Sequence, residues 1–282
     1  MEHGTRYVAL FGAGTILAML VVLRVIQRVR ARSLPPDQVD NAARRLLAVG
    51  EVLATFLVGA AVVHHNVRGD SLRADLAWTA AFAALGLAMV QVVGGLSLRV
   101  LLRARLPEEL ASGNVAAGLA AASHLVATGV LASHAVAGHS LYALGLAMAF
   151  FTLALVTHGL FVALFRALTT YDDAEQIEGE NLAAALSYAG VTVAVAVLVA
   201  RGLEGDFAGW RVSLRGFAGV AAWCLALYPV RQLVVEGLLL GARPSLRGGA
   251  LDQAIGTDRN EGMAALEATA YLGAALAIAR LA

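Results

Sequence analysis

The sequence predicts an all-α integral membrane protein: eight transmembrane helices arranged as four parallel-repeat helical hairpins, with the even-numbered helices central. Three observations predict it. Hydrophobic residues fill 59% of the 282 positions and charged residues only 15%, too little polar cover for a water-soluble domain. Eight apolar segments each approach the ~20 residues a helix needs to cross a hydrocarbon core. A short pattern also recurs four times: an Arg-rich helix end, an acidic or Pro-containing turn, then Asn opening the next helix. No period-two alternation is sustained, which excludes a β-barrel.

The first segment, 6–28, contains an apolar run at 7–23 long enough for a signal peptide. Little positive charge precedes it, no small-residue cleavage site follows, and Arg24, Arg28, Arg30 and Arg32 come after it. That pattern reads as a retained first helix with its N-terminus outside. The second segment, 43–65, is opened by Asn41, carries Glu51 and ends at His64 and His65. The third, 74–99, holds Gln91, and the fourth, 114–137, starts at Asn114 and is almost entirely small residues around His124. The fifth, 141–166, carries His158, and the sixth, 181–202, starts at Asn181 and carries Tyr188. The seventh, 214–241, contains Tyr228, Pro229, Arg231, Gln232 and Glu236, and the eighth, 260–281, starts at Asn260 and carries Glu267. Pro229 removes a backbone hydrogen bond and predicts a kink. Twelve aromatic residues fall in the odd helices and three in the even ones, Phe56, Tyr188 and Tyr271. Small residues let helix backbones approach closely in lipid, so the even helices are expected inside.

Arginine placement sets the topology. All 21 basic residues are Arg. Fourteen lie in or beside the loops after helices 1, 3, 5 and 7, Arg103, Arg166 and Arg231 among them, and seven lie on the other side. That bias puts the Asn-bearing loops in the cytoplasm and both termini outside. The Asn residues are spaced 73, 67 and 79 apart, so the chain reads as one membrane domain, 1–282, with hairpins at approximately 1–66, 72–138, 139–202 and 212–282. Each copy has two spans and enters the membrane in the same sense, giving parallel repeats about an axis along the membrane normal.

Counting from the Asn residues aligns the buried polar groups. Gln91 and His158 each stand 23 residues before an Asn; Gln232 is their counterpart ahead of the longer fourth loop, with Arg231 beside it and Glu236 one turn on. Glu51 and His124 stand ten residues after an Asn, and Tyr188 and Glu267 seven after. Seven and ten fall on nearly one helical face, ~10–15 Å below the helix start. Two readings stand for these layers. They line a path for protons or a cation, or they hold hairpins together by interhelical hydrogen bonds, with Glu51 paired to Arg44, Arg45 or another Arg of the basic first loop. Asn41, Asn114, Asn181 and Asn260 are expected to cap the even helices and to rim one vestibule. His64 and His65, near Asp70 and Asp75, lack ligand spacing, and no metal is expected there even with His134 or His139. The single Cys224 excludes an intrachain disulfide. No phosphate loop, His-Glu-x-x-His or nucleophile elbow is present, so no enzyme and no cofactor are expected. A net charge of +1 gives no polarity toward nucleic acid.

The stretches "LPEELASGNVAAGLAAA" and "AEQIEGENLAAALSYAG" resemble the YjfL-like bacterial membrane proteins, collected as domain of unknown function 350. Copies one and four depart from the pattern: Asn41 follows Asp, and Asn260 precedes Glu261. The resemblance implies a multi-pass protein of the bacterial inner membrane, built from hairpin units and encoded near membrane-stress proteins. It carries no established activity. Two functions remain open at this point: a proton or cation channel or small-solute transporter using the polar layers, and a membrane scaffold or envelope-stress sensor. In the second, Arg-rich loops would recruit anionic lipid or a cytoplasmic membrane-stress protein. The expected partners are thus the bilayer, a second copy of the chain and such a cytoplasmic protein.

Overall fold

A computed structural model describes residues 2–32, 34–69, 71–102, 105–245 and 247–281, the side chains of residues 2–6, 36 and 37 excepted. Arg103 and Asp70, which entered the sequence reading, lie outside the described residues. Among the described residues every regular element is helical. Eight helices are long and apolar enough to cross a membrane: α1 (Glu2–Ala31), α2 (Ala42–Asn66), α3 (Leu72–Leu102), α4 (Val115–Ala135), α5 (Leu141–Ala167), α6 (Leu182–Arg201), α7 (Trp210–Leu239) and α8 (Glu261–Leu281). The chain is an all-α membrane protein.

The even helices pack side by side in the order α2, α4, α6, α8. Their small residues are the cause. A Cβ added at Gly118 would stand 2.6 Å from the Cα of Ala43, and one at Gly50 would stand 2.6 Å from the Cα of Ala122. Backbones this close gain dispersion contacts that bulkier side chains would prevent. Gly190 meets Ala268 in the same way. Gly50 and Gly190 each follow their Asn by nine residues, and Ala122 and Ala268 follow theirs by eight. The α2–α4 contact is thus repeated at α6–α8.

The even helices form the middle layer, as their small residues predict, but as an open row and not a ring. α4 and α6 have neighbours on both sides, and 78% and 72% of their most apolar stretches are buried. α2 and α8 stand at the row ends, with 44% and 22%. The odd helices cover the row. α3 packs against α2 and α4, α5 against α4 and α6, α7 against α6 and α8, and α1 against α2 and α3.

Two odd helices are irregular at corresponding places. α3 widens to a π-helix at Met89–Gly94. α7 passes through a 3₁₀ stretch at Ala222–Ala226 and widens to a π-helix at Val230–Leu239. The disturbance expected at Pro229 therefore extends over ten residues, and it carries Arg231, Gln232 and Glu236. π-turns lose the regular i→i−4 ladder and frequently occur where side chains serve a site.

The ends of the even helices that carry Asn are tied by short helices: Pro36–Val39, Leu106–Ser112, Asp173–Glu178 and, in the fourth loop, the α and π turns of Ala250–Asp252 and Gln253–Thr257. In the last three loops the residue before the Asn is left-handed: Gly113 (φ +90°), Glu180 (φ +58°) and Arg259 (φ +52°). Glycine adopts that conformation freely, which accounts for the Gly-Asn pair of the second loop.

Candidate functional site

Each Asn is a helix cap. Its side-chain oxygen accepts from the third residue of its helix: Asn41 from Arg44 N–H (2.9 Å), Asn114 from Ala117 (3.1 Å), Asn181 from Ala184 (3.2 Å) and Asn260 from Met263 (3.1 Å). Three of the side-chain amides also reach the next loop. Asn41 donates to the Leu110 carbonyl (2.9 Å), Asn114 to Ile177 (2.7 Å) and Asn181 to Ile255 (2.9 Å). Asn114 and Asn181 also donate to Glu109 and Gln176, five residues before them. The expected vestibule rim is corrected: Asn114 and Asn181 are 1% and 0% exposed, and the four caps run along a row. They join neighbouring loops and do not surround an opening.

The layer expected from Glu51, His124, Tyr188 and Glu267 also divides, and so does that of Gln91, His158, Arg231, Gln232 and Glu236. Helices in a row show groups of equal depth to different neighbours. Three separate polar clusters result.

The first lies between α1, α2 and α3. Glu51 accepts from Gln27 (2.6 Å) and from Arg30 (2.9 Å), and Arg30 also donates to Gln91 Oε1 (3.0 Å). Of the expected partners of Glu51, the one found is another Arg of the basic first loop, Arg30 at the end of α1, and not Arg44 or Arg45. Arg45 instead pairs with Asp40 at the surface and holds its carboxyl below the usual carboxylate range. Beside this cluster is a cavity of about 340 Å³, lined by Arg30, Arg44, Arg99, Glu51 and Gln91 with apolar residues around them. Arg44 Nε and Gln91 Nε2 are buried and have no hydrogen-bond partner among the described residues.

The second lies between α3, α4, α5 and α6. Ser97 donates to the Gly94 carbonyl (3.0 Å), so its oxygen is left to accept from His124 Nε2 (2.7 Å). Nδ1 of His124 then accepts from the Tyr188 hydroxyl (3.4 Å). His158 Nε2 donates to the Thr192 carbonyl (3.0 Å), and the two imidazoles stand 5.8 Å apart between centroids. Each ring donates once, as a neutral imidazole does.

The third lies between α5, α6, α7, α8 and the third and fourth loops. Arg231, 2% exposed, donates from Nε to Glu267 (2.5 Å) and pairs through Nη2 with Asp252. Asp252 also accepts from the Thr170 N–H (2.7 Å) and hydroxyl (3.0 Å). Arg166 makes a two-pronged pair with Asp173, donates to Ser187 (3.0 Å) and lies over the Tyr171 ring. The buried Glu236 carboxylate lies against Gly249. Gln232 donates to the Tyr228 hydroxyl (3.2 Å). Arg166 and Arg231 entered the sequence reading as loop-side positive charge; both are neutralised inside the protein.

Sequence reasoning missed Gln27, Ser97, Asp173 and Asp252. Gln27 and Ser97 lie in irregular spacing on odd helices, and the two Asp residues lie in loops. The only available signal was the two acids of the third and fourth loops matching two Arg residues near helix ends. At the opposite end, Asp75 is held by the Tyr7 hydroxyl and the N–H groups of Arg68 and Gly69, and His139 bonds the Asn66 carbonyl. Among the described residues no group of three or more His, Cys, Asp or Glu could hold a metal ion.

No curated protein and no solved structure matches the chain. A family match covers residues 3–136 and again 139–281, each segment containing two of the hairpins. This division agrees with the doubled Gly–Ala contacts and with the π-helices of α3 and α7. The chain belongs to the family described as Domain of Unknown Function (DUF350), which it contains twice in tandem.

Proposed function

We propose that this membrane protein is a scaffold or envelope-stress sensor of the bacterial inner membrane. Its Asn-bearing end faces the cytoplasm and engages anionic lipid head groups, or an acidic cytoplasmic partner, through arginine. One observation carries the reading: arginines stand exposed at that end along both halves of the chain, most densely in the first. Arg24, Arg28, Arg30, Arg32, Arg99 and Arg105 are exposed at the ends of α1 and α3 or in the following loop, and Arg243, Arg247 and Arg259 in the fourth loop. Arg166 and Arg231 are closed onto Asp173, Asp252 and Glu267. An anionic leaflet attracts such a face by roughly 1 kcal/mol per Arg near the surface.

Transport is the weaker reading, because the groups that would form its path are distributed over three clusters. The test is lipid selectivity of the protein in mixed vesicles, read with spin-labelled phosphatidylglycerol and phosphatidylcholine. Enrichment of phosphatidylglycerol around the protein, falling as salt rises, is expected. Equal association of the two lipids would sink the proposal. Proton flux above that of protein-free vesicles would restore the transport reading.

A further inference from the structure

The geometry points to a binding site for a phosphate-type anion in the cavity between α1, α2 and α3. This deepens the proposed function and rests on it. Arg30 is one residue from the end of α1, Arg44 two residues into α2 and Arg99 three residues before the end of α3. All three therefore sit at head-group depth and converge on one cavity of about 340 Å³. Among the described lining residues Glu51 is the one carboxylate beside three arginines, so this lining carries a positive excess. Arginine presents its donors in a planar fork that matches phosphate oxygens.

Gln91 is the second, independent mark of a ligand. It is 9% exposed and lines the cavity, its Oε1 is taken by Arg30, and its Nε2 donates to nothing among the described residues. The Arg30 bond fixes which end of the amide is oxygen, so the spare group is a donor. It stands on the π-helix Met89–Gly94, which departs from the regular ladder at that residue. A buried donor without a partner is costly, and an anion in the cavity would satisfy it. In the second half the guanidiniums of Arg166 and Arg231 meet internal acids instead.

The anion is a phosphodiester head group or a free phosphate; the recognising chemistry is the same. Farther along the same α1–α3 seam runs an apolar groove of about 500 Å³, lined by Gly14, Ala18, Ala80 and Ala84 among others, which an acyl chain would fill.

Native mass spectrometry of the full chain, released from detergent after exposure to phosphatidylglycerol or to inorganic phosphate, tests the site. One anion retained per chain is expected. The Arg44→Gln/Arg99→Gln double variant should lower occupancy about tenfold or more, and Gln91→Leu several-fold. Arg45→Gln, whose side chain pairs with Asp40 at the surface, should leave occupancy unchanged. Each variant is accepted only with wild-type helicity and gel-filtration behaviour. Displacement of the lipid by millimolar phosphate assigns the site to the free anion; retention assigns it to the lipid. Either supports the site. No retained anion, or a double variant that behaves like Arg45→Gln, overturns it. If phosphatidylglycerol enrichment persists in vesicles while the cavity variants are inert, the site falls and the scaffold reading stands. Loss of enrichment itself removes that reading.

Discussion

The side-chain amide of Asn114 donates at 2.7 Å to the carbonyl of Ile177, 63 residues later in the chain. The bond ties the start of α4 to the third loop, and its counterparts tie α2 to the second loop and α6 to the fourth. Asn114→Ala removes the cap of α4, about 0.5–2 kcal/mol. It also removes the bond to the Ile177 carbonyl, which keeps the Glu180 N–H, about 0.5–1.5 kcal/mol. Asn260→Ala loses only a cap at an exposed position. Denaturation midpoints in one detergent should fall far more for Asn114→Ala and Asn181→Ala than for Asn260→Ala. Equal losses would show that the inter-loop bonds contribute nothing.

The close helix row gives a second expectation. Gly118→Ala and Gly190→Ala force a methyl group into the backbone of the neighbouring helix and should cost about 1–3 kcal/mol. Gly273→Ala, with nothing within 4 Å of the new methyl, should stabilise α8 by about 0.5–1 kcal/mol. Midpoints that do not separate these variants by sign would contradict the packing.

Arg231 bonds two buried carboxylates, Asp252 and Glu267. Arg231→Met leaves Glu267 and Asp252 without their ion-pair partner and should cost about 3–5 kcal/mol. Arg231→Met/Glu267→Met removes a charge of each sign and should recover much of the loss. A double variant less stable than Arg231→Met would show that Glu267 stabilises the protein independently of Arg231.

The chain of hydrogen bonds from Tyr188 through His124 to Ser97 fixes a tautomer. Nitrogen-15 spectra of labelled His124 should place its proton on Nε2, and Ser97→Ala should move that signal while leaving His158 nearly unchanged. A proton found on Nδ1 would reverse the chain and refute the assignment of donors.

Much of the candidate site was legible residue by residue, and little of it as an arrangement. That Asn114 and Asn181 cap helices followed from residue type and position, because capping is a local contact within one turn. That Gln91 and His158 lie at one depth was visible as a common distance of 23 residues from an Asn. Glu51 and Glu267 were correctly picked out as buried, yet their partners Arg30 and Arg231 come from other helices. A sequence period ranks depth along a helix and is silent about which neighbour the helix meets.

The same division holds for the whole molecule. The sequence alone determined that eight apolar helices cross a membrane, that Asn opens every even one, and that small residues bring the even helices together. These follow from hydrophobic length, from unsatisfied N–H groups at a helix start and from the closeness that glycine and alanine permit. Only the tertiary structure decided that the even helices stand in an open row. A row and a ring use the same pairwise contacts, and the crossing of each pair selects between them. From that choice follow the burial of Asn114 and Asn181, the separation of Glu51, His124 and Glu267 into three clusters, and the one cavity where Arg30, Arg44 and Arg99 converge.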